Sequence, residues 1–81
     1  MCLGVPAKII EIVDENLGSA LAETDGVRRQ VNVGLLALKG TGYDRLVGQW
    51  ILVHVGFAMA LIDEEEALQT LQLLRSADEQ Q

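Results

Sequence analysis

Two residues of this 81-residue chain carry side chains suited to metal or nucleophilic chemistry: Cys2, the only cysteine, and His54, the only histidine. A closed zinc site needs four ligands, commonly Cys and His, so these two side chains cannot complete one. A single cysteine also forbids an internal disulfide bond. A metal site on this chain must therefore be open, be shared with a partner or arrive with a small complex.

Cys2 directly follows the initiator methionine, and a small second residue generally permits removal of Met1. The mature chain would then begin with a thiolate and an α-amine on adjacent carbons, which together can chelate a soft metal. The alternative is that Cys2 is a small, partly buried hydrophobic residue. Gly4 permits a close backbone approach, and Pro6 stiffens the path into the first strand. These two residues equally fit the ordinary start of a strand.

His54 lies in the apolar segment QWILVHV, where the alternation of a strand places it on one face with Trp50 and Leu52. A lone histidine on an apolar face is more often a hydrogen-bonded core residue than a ligand. A small barrel can nevertheless bring His54 and Cys2 to one pocket, and the sequence does not give that distance.

The segment after His54 combines small residues with one aromatic ring and one thioether. Such a segment predicts a smooth apolar surface for a partner, or else a turn followed by core filling. With Gly4 and Pro6, its four residues are the candidate partner-binding positions: Gly56, Phe57, Ala58 and Met59.

Five segments are predicted as strands because they are short, rich in β-branched or alternating apolar residues, and bounded by turn residues. Asp25-Gly26 predicts a hairpin turn with positive φ angles. In the third strand, Val27, Arg29, Val31 and Val33 share one face, and the opposite face is predicted to be solvent-facing. The five segments are 5–13, 19–24, 27–33, 49–55 and 57–62.

Two further segments complete the predicted architecture. Residues 34–47 are predicted as a connection with a short helical turn over Leu35, Leu36 and Leu38. Residues 63–76 are predicted as a helix that Asp63 and Glu66 cap at its start. Its apolar stripe consists of Ala67, Leu68, Leu71 and Leu74.

The order of elements predicts a mainly β fold, a small OB-like five-stranded barrel with a C-terminal α-helix. Residues 1–62 form the barrel, residues 63–76 form a helix that covers an open edge or end of it, and residues 77–81 are a flexible tail. One domain accounts for the whole chain.

The charge composition limits the classes of partner that the chain can bind. Six Lys and Arg oppose twelve Asp and Glu, a net charge of −6, which argues against nucleic acid and anionic membrane surfaces. No apolar run approaches the roughly 20 residues of a membrane span, and the first residues do not form a secretory signal. We therefore expect a cytoplasmic protein with protein partners.

Two blocks resemble the HypC/HupF family of NiFe-hydrogenase maturation chaperones. MCLGVPAKI looks like the family's N-terminal signature, and GQWILVHVGFA, running into IDEEEA, is similar to its second block. The resemblance implies an OB-like barrel that is not an enzyme and works with the iron–sulfur protein HypD. It further implies assembly of the Fe(CN)2CO unit of the hydrogenase and its delivery to the large-subunit precursor.

The same resemblance implies roles for the two chemical residues. Cys2 corresponds to the essential cysteine and would bind the iron unit, since thiolates suit soft metal centres. His54 corresponds to the family's histidine. It would ligate the iron, form a hydrogen bond to a cyanide ligand, or orient Cys2. The main alternative is an adaptor that bridges these partners without touching metal. A thiol enzyme lacks an evident orienting group for Cys2 and His54, and a nucleic-acid binder is opposed by the charge.

Overall fold

The computed structural model of the chain describes residues 4–79, the last three of them by their backbone alone. The fold contains five strands, two short helices and one long helix. The elements are β1 (Val5–Asp14), β2 (Ser19–Thr24), β3 (Val27–Asn32), α1 (Gly34–Leu38), α2 (Tyr43–Leu46), β4 (Trp50–His54), β5 (Phe57–Ile62) and α3 (Glu64–Glu79).

The strands form a closed barrel in the order β1-β2-β3-β5-β4. All pairs are antiparallel except β3 with β5, which are parallel and pair only through Asn32 and Phe57. The prediction of a five-stranded OB-like barrel with a C-terminal helix is thereby confirmed. One face of β4 lies against the barrel core and α3 contacts the strand from outside, which explains why its sequence is apolar on both faces.

Two-residue turns set the register of two hairpins. Asp25 and Gly26 join β2 to β3 with φ angles of 50° and 83°, as the sequence predicts. Both angles are positive, which is the geometry that matches the right-handed twist of paired strands. Burial alternates along β2, with Ala20 and Ala22 directed into the barrel.

The structure corrects the prediction for β3. Val31 and Val33 are buried, but Val27 is exposed although it lies on the same face. The reason is the short contact between β3 and β5, which leaves the first half of β3 beyond the closed part of the barrel. Both faces of that half are therefore open to solvent.

The segment between β3 and β4 is part of the barrel's core. Its helical turn is confirmed as α1, and a second turn, α2, follows that the sequence did not predict. Leu36 of α1 is 2% exposed and Leu46 of α2 is fully buried, and both belong to the same cluster as Ile9 and Ile51. The connection thus closes the barrel interior.

Helix α3 packs against the outside of the barrel at β1 and β4. The Asp63 carboxylate accepts a hydrogen bond of 2.8 Å from the Glu66 backbone N–H, so the predicted N-cap is confirmed. Ala67 and Leu71 are buried, whereas Leu68 is 49% exposed and was wrongly placed in the buried stripe. The helix continues to Glu79, past the predicted end at 76, because residues 76–79 contain no glycine or proline to stop it.

Within the described residues, no helix is both long and apolar enough to cross a bilayer.

Candidate functional site

The start of β1 is held tightly against β4. Val5 pairs with Val53, and Pro6 pairs with Leu52. A Cβ atom on Gly4 would lie only 2.9 Å from Cδ2 of Leu52, which is closer than real Cβ contacts allow. Of the close backbone approach and the bend that a glycine at position 4 permits, the fold shows the close approach.

The Pro6 side chain lies on the outer face of β1. It is among the fully buried side chains, although it alternates with Ala7, whose side chain lies in the barrel core. Since α3 packs on the outer face of β1 and β4, the helix accounts for this burial. The Pro6 carbonyl accepts a hydrogen bond of 2.9 Å from the Thr24 hydroxyl. The Pro6 side chain is thus internal to the fold and has no free surface for a partner.

Cys2, the candidate iron ligand, lies outside the described residues, together with Met1 and Leu3. Its predicted role and the prediction that Met1 is removed stay predictions.

His54 ends β4 and lies opposite Phe57 across the next hairpin. Its side chain is half-buried, on the face of β4 that also carries Leu52. That face is the one against which Gly4 packs. The structure therefore brings His54 to the same side of the sheet as the path into β1.

A groove opens where β3 and β5 stop pairing, and we name it the seam groove. The first half of β3 forms one wall. The start of β1 and the end of β4 form the other. Its volume is about 630 Å³. Six of its lining residues carry the argument below: Val5, Val27, Arg29, Val31, Val53 and Val55.

The charged side chains at the groove differ in whether they have an ion-pair partner. Asp25 lines it, but its carboxylate is paired with Arg75 from α3. The hydrogen bond from Arg75, and its positive charge, lower the pKa of the Asp25 carboxyl. Arg28 is paired with Glu23 at 3.1 Å. Arg29, by contrast, has no ion-pair partner among residues 4–76, whose side chains the structure describes, so the groove carries a positive charge in an acidic protein.

The predicted partner surface at residues 56–59 is only partly exposed. Phe57 is 54% exposed and Met59 is 43% exposed, and Gly56 is exposed at the turn. Ala58 is fully buried because alternation directs it into the barrel core. The apolar surface is therefore carried by Phe57 and Met59, and Ala58 has a packing role.

Val55 is a feature that the sequence analysis missed. It occupies the first position of the turn between β4 and β5 with a φ of 52°, and Gly56 follows with 80°. A β-branched residue with positive φ is a strained outlier, and such strain is found preferentially at functional sites. Val55 is also 80% exposed and lines the seam groove. The predicted strands 49–55 and 57–62 placed Val55 inside a strand, whereas the structure ends β4 at His54 and makes Val55 the first residue of a two-residue turn, a position that takes positive φ in the common hairpin turns.

No group of three acidic, histidine or cysteine side chains able to hold a metal ion occurs within residues 4–76.

Comparison with known proteins assigns the family. The model of the HupF/HypC family matches residues 1–74. The chain belongs to the HupF/HypC family. It is 52% identical over 81 residues to hydrogenase maturation factor HypC of Rhodobacter capsulatus, an alignment that covers all of this chain and 82% of the relative. It is 46% identical over 78 residues to hydrogenase maturation factor HybG of Escherichia coli strain K12, covering 96% of this chain and 93% of HybG.

The HupF/HypC assignment does not select one paralogue. Hydrogenase maturation factor HypC of the same Escherichia coli strain is 42% identical over 76 residues, covering 94% of this chain and 81% of the relative. That value is close to the 46% for HybG. The family match also includes every predicted site residue, from Cys2 to Met59, and ends one residue before Arg75.

Proposed function

We propose that this chain is a hydrogenase maturation chaperone, and not itself an enzyme, that carries an Fe(CN)2CO unit in the cytoplasm. After removal of Met1, the Cys2 thiolate binds the unit together with a HypD-like maturation protein. The chaperone then delivers the unit to the large-subunit precursor of a NiFe-hydrogenase. The observation that carries the proposal is the HupF/HypC match over residues 1–74, which includes a single cysteine at the second position.

The scarcity of ligands suits a carrier. Iron with cyanide and carbon monoxide ligands is a soft centre that thiolate binds well. One terminal thiolate, completed by ligands from a partner, holds the unit without enclosing it. Transfer then requires exchange of only that bond, and the iron is cargo rather than a resident cofactor.

Covalent geometry limits how far Cys2 can lie from Gly4 and, through it, from His54. Two residues of extended chain span at most about 7 Å, so Cys2 cannot be far from Gly4. Gly4 itself packs against Leu52. Leu52 and His54 are two residues apart on one strand, a spacing of about 7 Å. Covalent reach therefore allows Cys2 and His54 to serve one iron unit.

We assign His54 a supporting role. As a hydrogen-bond donor it can bond a cyanide nitrogen or orient the thiolate, in the way that groups around metal ligands commonly act. His54→Gln keeps a donor, and His54→Ala removes it. The first variant should retain bound iron with altered cyanide stretching frequencies, and the second should bind the unit less tightly.

The test is infrared spectroscopy of the complex purified with its HypD-like partner. The wild-type complex should show bands of iron-bound carbon monoxide and cyanide, and Cys2→Ala should lose them while the two proteins still co-purify. Leu17→Cys in the Cys2→Ala background is the matched control, because it restores one thiol at a site that is 72% exposed in the β1–β2 turn. Bands that persist in Cys2→Ala, or return with Leu17→Cys, would contradict the proposal.

The same preparation tests the state of the N-terminus. Mass spectrometry of the active chaperone should show a chain that begins with Cys2. An active form that retains Met1 would remove the chelate from the proposal, because the α-amine of Cys2 would then be an amide.

A second candidate is an adaptor that bridges the same partners without touching iron. The exposed side chains of Phe57 and Met59 favour it, since both lie on the outer face of β5. In that case, Phe57→Ser and Met59→Ser should prevent complex formation, and Cys2→Ala should leave maturation intact. The infrared experiment separates the two candidates.

A further inference from the structure

The first half of β3 has a free edge. Asn32 donates its backbone N–H to the Gly56 carbonyl at 2.8 Å, on the side away from β2. Alternate residues of an antiparallel strand direct their backbone groups to the same side, so Arg28 and Gln30 also point theirs away from β2. Since β3 and β5 pair only at Asn32 and Phe57, these groups have no strand partner within residues 4–79.

This edge borders the seam groove rather than an open plane. Val27, Arg29 and Val31 face the groove from β3, and Val53 and Val55 face it from β4 and its turn. A strand added to the β3 edge would direct alternate side chains into this space. The groove therefore offers both backbone hydrogen bonds and side-chain contacts.

Charge specifies one position of such a strand. The residue opposite Arg29 would lie on the same face as the Arg29 side chain. Arg29 has no carboxylate partner among the described residues, whereas Arg28 and Arg75 are both paired. An acidic residue at that position would complete the ion pair, and aliphatic residues two positions away on either side would contact Val27 and Val31.

The turn that forms the other wall is strained. Val55 keeps a positive φ of 52° and an exposure of 80%, a conformation that asparagine or glycine adopts far more readily. Folding alone gives no reason for an exposed apolar side chain at this position. A ligand in the groove would give such a reason, because it would cover the Val55 side chain.

We propose that the seam groove binds an extended segment of a partner protein, which adds to the free edge of β3 as a strand. The segment has the pattern aliphatic, any, acidic, any, aliphatic, with its carboxylate against Arg29. This mode of binding uses backbone hydrogen bonds for affinity and alternate side chains for specificity.

A second copy of this chain does not fit the same edge. Symmetric pairing of two β3 edges around their centre would place Arg29 opposite Arg29, and like charges directly opposite are destabilising. The occupant is therefore a chain of different sequence, with negative charge where β3 has positive charge.

The proposal concerns recognition of a peptide and goes beyond carriage of iron. It holds for either candidate function above, since both need a surface for a partner. Its test uses iron-free chaperone, so a negative result would not affect the role of Cys2. Equally, retention of iron bands in Cys2→Ala would not affect the groove.

The experiment is an NMR titration of the full chain, labelled with nitrogen-15, with the peptide acetyl-VTETV-amide. The matched control is acetyl-VTKTV-amide, which differs only in the charge of its central residue. We expect saturable shifts of the Arg28, Gln30 and Val55 amides, with the acidic peptide binding roughly threefold to tenfold more tightly. Arg29→Glu should reverse this preference.

Gln30→Pro tests the backbone contribution. Position 30 directs its N–H away from β2, so proline removes a hydrogen bond to the peptide and leaves the β2–β3 ladder in place. Amide dispersion checks the fold, and both peptides should then fail to bind. The proposal is overturned by no shift on β3, by equal affinity for the two peptides, or by a concentration-dependent dimer that Gln30→Pro dissociates.

Discussion

Gly4 and Leu52 fit together only because position 4 has no side chain. A Cβ atom there would lie 2.9 Å from one methyl of Leu52 and 3.0 Å from the other. Leu52 cannot easily move away, because it is half-buried on the face of β4 that α3 covers. The contact fixes how the chain enters β1, two residues after Cys2.

Gly4→Ala should therefore destabilise the fold by about 1–3 kcal/mol, the usual effect of forcing one extra carbon into a packed site. Urea denaturation followed by circular dichroism measures the change. In a Leu52→Ala background, Gly4→Ala should cost less than it does in the wild-type chain, because the atoms that the new methyl meets have been removed. If Gly4→Ala unfolds at the wild-type urea concentration, the contact does not constrain the N-terminal segment.

Val55→Asn should stabilise the protein by roughly 1 kcal/mol, because asparagine tolerates the positive φ that strains valine. The comparison variant is Val47→Asn, which changes a valine that is 48% exposed and has a φ of −63°. That change should alter stability by no more than about 0.5 kcal/mol. Thermal unfolding of both variants gives the result, and equal effects would mean that strain at position 55 is not the cause.

The strands and the β2–β3 turn could be predicted from local sequence. Alternation and turn residues located all five strands to within two residues, since these signals act between neighbours in the chain. Helices α1 and α2 are harder, because elements of 5 and 4 residues are too short to show helical periodicity. The burial of Leu46 depends on tertiary packing that no local pattern records.

The candidate site was predictable in part for the same reason. Gly4 was identified as a position for close approach, and its contact with Leu52 agrees. The seam groove was not predicted, because it depends on how far β3 and β5 overlap, and that register joins strands 25 residues apart at Asn32 and Phe57.

Substitution of two leucines of α1 tests whether the segment between β3 and β4 belongs to the core. Leu36 is 2% exposed and Leu38 is 86% exposed, although both occupy the same short helix. Leu36→Ala should cost about 2–5 kcal/mol of stability, the range for a buried leucine, and Leu38→Ala should change it by less than about 0.5 kcal/mol. Urea midpoints of the two variants provide the measurement. Similar losses would show that α1 does not pack as the structure has it.

Asp25 and Arg75 join the β2–β3 turn to α3 across 50 residues of sequence, and their pairing makes stability depend on pH. Arg75 lowers the pKa of Asp25 below its ordinary value of 3.8. A carboxylate whose pKa is lower in the folded state stabilises the fold above its unfolded pKa, and the effect is lost as pH falls through the folded pKa. Asp25→Asn should therefore lower the urea midpoint at about pH 7, and the difference from wild type should vanish in acid below 3.8.

Asparagine is a suitable replacement because it tolerates the positive φ of position 25, so the turn itself is preserved. Removing one negative charge also relieves repulsion in a chain of net charge −6. Glu11→Gln controls for that effect, since Glu11 is exposed and has no ion-pair partner among residues 4–76. Both side chains of the Asp25–Arg75 pair are about half exposed, at 44% and 57%, so added salt should reduce the loss caused by Asp25→Asn. A loss that persists unchanged in acid or in high salt would assign the effect to the turn and not to the ion pair.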